Sequence, residues 1–136
     1  MSVRPHFLAP LLGSGDVHGV LRNDRTGAIV ASRLEMAADS KARRRGLLGR
    51  TSLAPDTALI IAPCNGVHTF FMRFTIDVVF TSRDGRVVKI CPRLAPWRIG
   101  AAFSAFAALE FAAGSAEREG IVVGDRLSVE ATTPSN

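Results

Sequence analysis

The segment "VVFTSRDGRVVKI", residues 78–90, constrains the fold more than any other part of the chain. Two runs rich in β-branched residues flank "SRDGR", and Asp84-Gly85 supplies the positive φ that a tight reversal between antiparallel strands requires. The pattern predicts a β-hairpin, and a lone hairpin is marginal in water until its apolar face packs on further strands.

The rest of the chain offers those strands. "GAIVASRLEMA" has strand character, with Ile29, Val30 and Ala31 followed by alternation through Leu34 and Met36. "ALIIAP" reads as a short buried strand ended by Pro63. "AFAALEF" places Ala107, Leu109 and Phe111 on one side and Ala108 and Glu110 on the other, which suits a strand with one face in the core. "VVGDRLSVEA" is a Gly-Asp turn into a last strand with Leu127, Val129 and Ala131 inward. Helical signals are short. "ADSKARRRGLLGR" predicts two or three turns, with Asp39 or Ser40 capping the start and Gly49 as a left-handed stop. "GSAEREGI" predicts one or two turns capped by Ser115 and stopped at Gly120.

The expected fold is therefore mainly β: a single-domain, barrel-like β-sandwich with two or three short helices. Residues 17–131 form the domain, between a flexible N-terminal segment, 1–16, and a flexible tail, 132–136. A length of 136 residues suffices to bury one core, and 47% hydrophobic with 21% charged residues excludes a disordered chain. Cys64 and Cys91 make no disulfide framework; they are expected to pack as small hydrophobes, the alternative being a single bridge between them in an oxidising compartment. The run "FLAPLL", broken by Pro10, is a poor secretory core. "GAAFSAFAALEFAAG", with Glu110 inside it, is too short and polar to span a bilayer, which needs about 20 residues. No membrane span is expected, and a cytoplasmic location is favoured.

The formal charge of +5 is unevenly placed. Lys41, Arg43, Arg44, Arg45 and Arg50 form one basic cluster, and Arg83, Arg86, Lys89, Arg93 and Arg98 form another. Such clusters act electrostatically on nucleic acid or anionic lipid. With no tyrosine and no recognised nucleic-acid motif, a solvated charged face is the expectation and nucleic acid is not the expected partner.

Candidate chemistry concentrates in "CNGVHTFFMRFTIDVVF", residues 64–80. Read as one strand, His68, Phe70, Met72, Phe74, Ile76, Val78 and Phe80 line one face, and Val67, Thr69, Phe71, Arg73, Thr75, Asp77 and Val79 line the other. Cys64, His68 and Met72 are soft ligands suited to copper. On a strand, however, residues four apart lie about 13 Å from each other, so neither a metal site nor another cofactor is expected. Asp77, set between Ile76 and Val78, needs donors if buried, and Arg73 or the arginines of "ARRRGLLGR" are available.

In order along the chain, "RRRGLLGR", "GVHTFFMRFTIDVVF", "DGRVVKI", "LAPWR" and "ALEFAAGSAEREGIVVGDRL" resemble the domain of unknown function family 192, over roughly residues 20–131. The resemblance implies a compact, mainly β, barrel-like sandwich with short helices and no established activity. Its recurrent polar positions fall here on Arg45, His68, Met72, Asp77, Glu110 and Asp125. Many members carry a secretion signal or lipoprotein start, for which this N-terminus has no convincing counterpart.

Two functional readings follow. In the first, the domain binds an unidentified small molecule or protein in a cleft near Arg45, His68, Met72 and Asp77, with Phe70, Phe71 and Trp97 as apolar walls and with Glu110 and Trp97 as further candidate binding residues. Its bland counterpart makes Arg45 and Asp77 a buried structural pair and Trp97 a residue at the core edge. In the second, His68 is a general base oriented by Asp77 or Glu110. Because no Ser or Cys stands in a nucleophile turn and no glycine loop cradles phosphate, no catalytic residue is assigned.

Overall fold

Three stretches in which polar alternation is weak form the middle of the molecule. The computed structural model describes residues 6–11, 18–37, 39, 41 and 46–132. Among these the strands are β1 (Gly19–Asn23), β2 (Ile29–Ala31), β3 (Arg33–Ala37), β4 (Thr57–Ile61), β5 (Gly66–His68), β6 (Ile76–Thr81), β7 (Val87–Leu94), β8 (Ile99–Ala101), β9 (Ala107–Ala112) and β10 (Leu127–Ala131). Strands β4, β9 and β6 are buried at nearly every position, as strands covered on both faces must be. They are the centre of a five-stranded sheet ordered β3-β4-β9-β6-β7, in which β3 and β4 run parallel and the other neighbours antiparallel.

Each face of that sheet carries its own core. One face presents Ala58, Ile60, Val79, Leu109 and Phe111 to Leu21, Ala31, Leu127 and Val129 of a three-stranded sheet, β10-β1-β2. Leu8 and Leu11, from a 3-10 turn region preceding β1, are buried in this core too, so residues 6–11 pack onto the domain. The other face presents Leu59, Ile61, Ile76, Val78, Phe80 and Ala108 to Leu47, Leu53 and Met72, with Val67 and Ala102 packed alongside. The two-stranded ribbon β5-β8 forms part of this second roof.

The hairpin joins β6 to β7 as expected. The Gly85 amide donates to the Ser82 carbonyl at 3.1 Å and the Ser82 amide to that of Arg86 at 2.9 Å. Gly85 has φ +85°, and a Cβ there would lie 2.1 Å from the Leu127 carbonyl oxygen, so the position excludes every side chain twice over.

Several expectations need correction. The sheets do not close into a barrel: β3 and β7 remain outer strands, because the three-stranded sheet stacks on one face instead of bridging them. Among the described residues there is one short α-helix, α1 (Ser115–Arg118), not two or three. Most of the helix expected in "ADSKARRRGLLGR" falls outside the described residues; residues 46–49 form turns, and Gly49 is left-handed as expected, with φ +87°. The β9 strand has both faces in a core, not one, since Glu110 and Ala108 face the second roof. Ser115 does not cap α1. Gly114 holds the cap position with φ +86° and no side chain of its own, and the cap arrives from the sheet, where Asp77 accepts the Ala116 amide at 2.9 Å. The cysteines carry no disulfide and are partly buried against the second core.

Candidate functional site

Residues 64–80 are not one strand, because Thr69 interrupts them. Its side chain is fully buried, with Oγ1 donating to the Ala95 carbonyl at 2.6 Å and accepting the Arg98 amide at 2.9 Å. Its own amide donates to the Arg98 carbonyl at 2.9 Å, and its carbonyl accepts from Trp97 at 3.0 Å and Met72 at 3.2 Å. One residue thus fastens the 69–75 loop to the 95–98 loop. Under that restraint Phe71 and Trp97 adopt φ +66° and +67°. Left-handed backbone costs a non-glycine residue roughly 1–3 kcal/mol and persists only where surrounding bonds over-determine it, as they do here.

The two strained residues carry aromatic rings into solvent. His68, Phe70, Trp97 and Phe71 form a run of ring contacts with centroid separations of 4.9, 5.8 and 4.7 Å. The ribbon extends this surface. Val67 and Gly100 pair on its inner side, where a Cβ on Gly100 would touch Cys91 Sγ at 3.2 Å, so the next pair, His68 and Ile99, faces outward. Phe71 is 72% exposed, Trp97 56%, Ile99 69% and Phe103, just beyond β8, 95%. Exposed Arg73 follows Phe71 by two residues and exposed Arg98 follows Trp97, and neither is in an ion pair among the described residues.

The other expected site residues lie elsewhere. Arg45 is outside the described residues. Met72 is buried in the second core beneath the loop that carries Phe71. Asp77 is buried on the opposite face of the central sheet, where its carboxylate accepts backbone amides of Arg93 at 2.8 Å, Ala116 at 2.9 Å and Gly114 at 3.1 Å. This carboxylate fixes the β7 bulge at Arg93 and the start of α1. Asp125 is a second buried tie, held by Arg25 at 2.6 Å, by Asn23 and the Val122 amide at 2.9 Å each, and the Arg25 guanidinium draws its carboxyl down to about 2.

Glu110 is the buried acid without such provision. It pairs with Leu59 and Val78 across the sheet and faces the second core, 4% exposed, with Oε2 lacking a hydrogen-bond partner among the described residues. Burial pushes its carboxyl up to about 7, opposed only in part by the Arg50 charge. Arg50 is committed to Glu35, which it grips through two nitrogens at 2.8 and 2.9 Å. A depression of about 360 Å³ opens beside that pair, lined by Glu35, Gly46, Leu48, Arg50 and Leu59 among others.

His68, Asp77 and Glu110 therefore occupy three separate levels: the outside of the ribbon and the two faces of the sheet. The His68 Nδ1 accepts the Phe70 amide at 3.3 Å, and neither carboxylate is hydrogen-bonded to it. The structure does gather His68, Phe70, Phe71 and Trp97. Sequence reasoning missed Thr69, Arg50 and Glu35. The partners of Thr69 are 26 and 29 residues away and left no local signal.

Two solved structures share the fold. One, described as a candidate transcription regulator from Sinorhizobium meliloti 1021, has 24% identity and a TM-score of 0.72 over 82% of this chain and 91% of its own. Another, a protein of unknown function from Novosphingobium aromaticivorans DSM 12444, has 23% identity and a TM-score of 0.69 over 88% of this chain and 96% of its own. At these identities the likeness concerns the fold alone. No curated protein matches the chain. Residues 21–129 match the sequence profile of domain of unknown function family 192, described as "Uncharacterized ACR", and the chain belongs to that family.

Proposed function

We propose that the protein is a binding module and that it recognises its partner with the outward aromatic strip of His68, Phe70, Phe71, Trp97 and Ile99. One observation carries this reading: Phe71 and Trp97 are held in solvent on left-handed backbone by the Thr69 clamp. Burying either ring would be worth roughly 1.5–3 kcal/mol, yet the clamp works against that burial. Strain maintained to keep apolar rings exposed points to a partner that covers them. Arg73 and Arg98 at the margin favour a partner with negative charge beside an apolar or planar group. The acid–base alternative has less support, because the carboxylates it needs are engaged or enclosed on other faces.

The test uses 8-anilinonaphthalene-1-sulfonate, which combines an aromatic body with one anionic group. Trp97 is the sole tryptophan, so its emission reports on the strip directly. Saturable dye binding with quenching of Trp97, lost in a Phe71→Ala/Ile99→Ala variant that keeps its melting temperature, is the expected result. Equal dye binding by the variant would sink the proposal.

A further inference from the structure

We infer that the surface covering this strip is an anionic phospholipid bilayer, on which Phe71, Trp97, Ile99 and Phe103 act as a shallow peripheral anchor. The inference rests on the binding reading above and adds the partner's chemistry. The four side chains stand at the two ends and along the outer face of the β5-β8 ribbon, which the Cys64 and Ala102 amides tie to the Phe106 and Asn65 carbonyls at 2.8 and 2.9 Å. They are exposed side chains, and none of them lines the depression beside Glu35 and Arg50. With aromatic side chains worth about 200 Å² each, they expose roughly 600 Å² together, at the upper end of the largest apolar patch an ordinary monomer carries. A lipid interface takes up separate projecting side chains, and it accepts tryptophan and phenylalanine at headgroup depth.

Charge selects the kind of bilayer. Arg98 adjoins Trp97 and Arg73 follows Phe71 by two residues, both without ion-pair partners among the described residues, and Lys89 is held at the ribbon edge by a 2.7 Å bond from Nζ to the Ala101 carbonyl. The whole chain carries +5. A second copy would set these cations against their own kind, whereas phosphatidylserine or phosphatidylglycerol headgroups would neutralise them. The clamp at Thr69 pre-orders both aromatic tips, so little ordering entropy is lost on contact.

The experiment is flotation of the full chain with vesicles of phosphatidylcholine alone or with about 30% phosphatidylserine, at low and at about 150 mM salt, with Trp97 emission recorded in parallel. Binding to the anionic vesicles with a blue shift of Trp97 is expected. A Phe71→Ala/Phe103→Ala variant should lose about tenfold in affinity, and Arg73→Gln/Arg98→Gln should lose the preference for phosphatidylserine. Circular dichroism and melting temperature show that each variant is folded. If wild type binds the dye but no vesicle at low salt, the lipid inference fails while the binding reading stands and a soluble acidic protein becomes the partner to seek. If neither binds, both fail. Vesicle binding without a Trp97 shift, unchanged in the Phe71→Ala/Phe103→Ala variant, overturns the anchor as well.

Discussion

Replacing Glu110 by glutamine should stabilise the protein at neutral and alkaline pH and change it little in acid. Glu110 lies on the central strand β9 between Leu59 and Val78, enclosed by apolar side chains, with one carboxylate oxygen lacking a partner among the described residues. Among the described residues the cation able to compensate it is Arg50, which gives two nitrogens to Glu35. Burial therefore favours the neutral acid and lifts its pKa from 4.5 to about 7. Between those values the folded protein keeps a proton that the unfolded chain releases. Stability from this group is full below pH 4.5 and is lost as pH rises to about 7 and beyond. At 1.36 kcal/mol per pH unit the loss is about 3 kcal/mol. Glutamine keeps the shape and cannot ionise. Urea unfolding across pH 4 to 8.5 should show the two proteins within about 1 kcal/mol in acid and the variant ahead by up to about 3 kcal/mol at the alkaline end. A difference that does not vary with pH would mean that folding leaves the Glu110 pKa unshifted, and a variant less stable at pH 8 would mean that Glu110 is ionised and well paired; either result would refute the reasoning.

Other residues give sharper local outcomes. Asp77→Asn removes an acceptor from a carboxylate that binds three backbone amides, and should cost about 2–3 kcal/mol in urea unfolding; a loss under about 0.5 kcal/mol would contradict its capping role. Thr69→Val deprives the Ala95 carbonyl and Arg98 amide of a partner, and should cost about 1–3 kcal/mol and speed hydrogen exchange at the Trp97 amide; unchanged exchange would show that the clamp does not hold the loop. Asp125 is depressed by Arg25, so its stabilisation is present above about pH 4 and lost as pH falls toward 2. Asp125→Asn should flatten that acid limb, and an unaltered limb would place the acid transition elsewhere.

How far the sequence carries depends on how local the determinant is. The hairpin was legible because Asp84-Gly85 supplies its turn within the segment itself. Strands β4, β6 and β9 were legible from their apolar runs, though burial of both β9 faces was not, since that depends on which elements stack above and below. The break at Thr69 depends on Ala95 and Arg98, and the cap of α1 on a carboxylate 39 residues earlier. Neither leaves a local trace. In the candidate site, aromatic residues in one short stretch and a lone tryptophan were visible, and the structure joins them. Asp77 looked functional because a carboxylate between Ile76 and Val78 is costly, and its three backbone donors account for it without a ligand. Arg50 was hidden in a basic cluster because its partner, Glu35, lies on another element.

The central claim is that the outward ring strip is where this protein meets its partner. Amide and indole shifts of the labelled protein, followed during titration with 8-anilinonaphthalene-1-sulfonate, test it most directly. Saturable changes confined to residues 67–73 and 97–103, led by the Trp97 indole, are the predicted result. Shifts centred instead on Glu35, Arg50 and Leu59 would contradict it and move the binding site to the depression beside the Glu35–Arg50 pair.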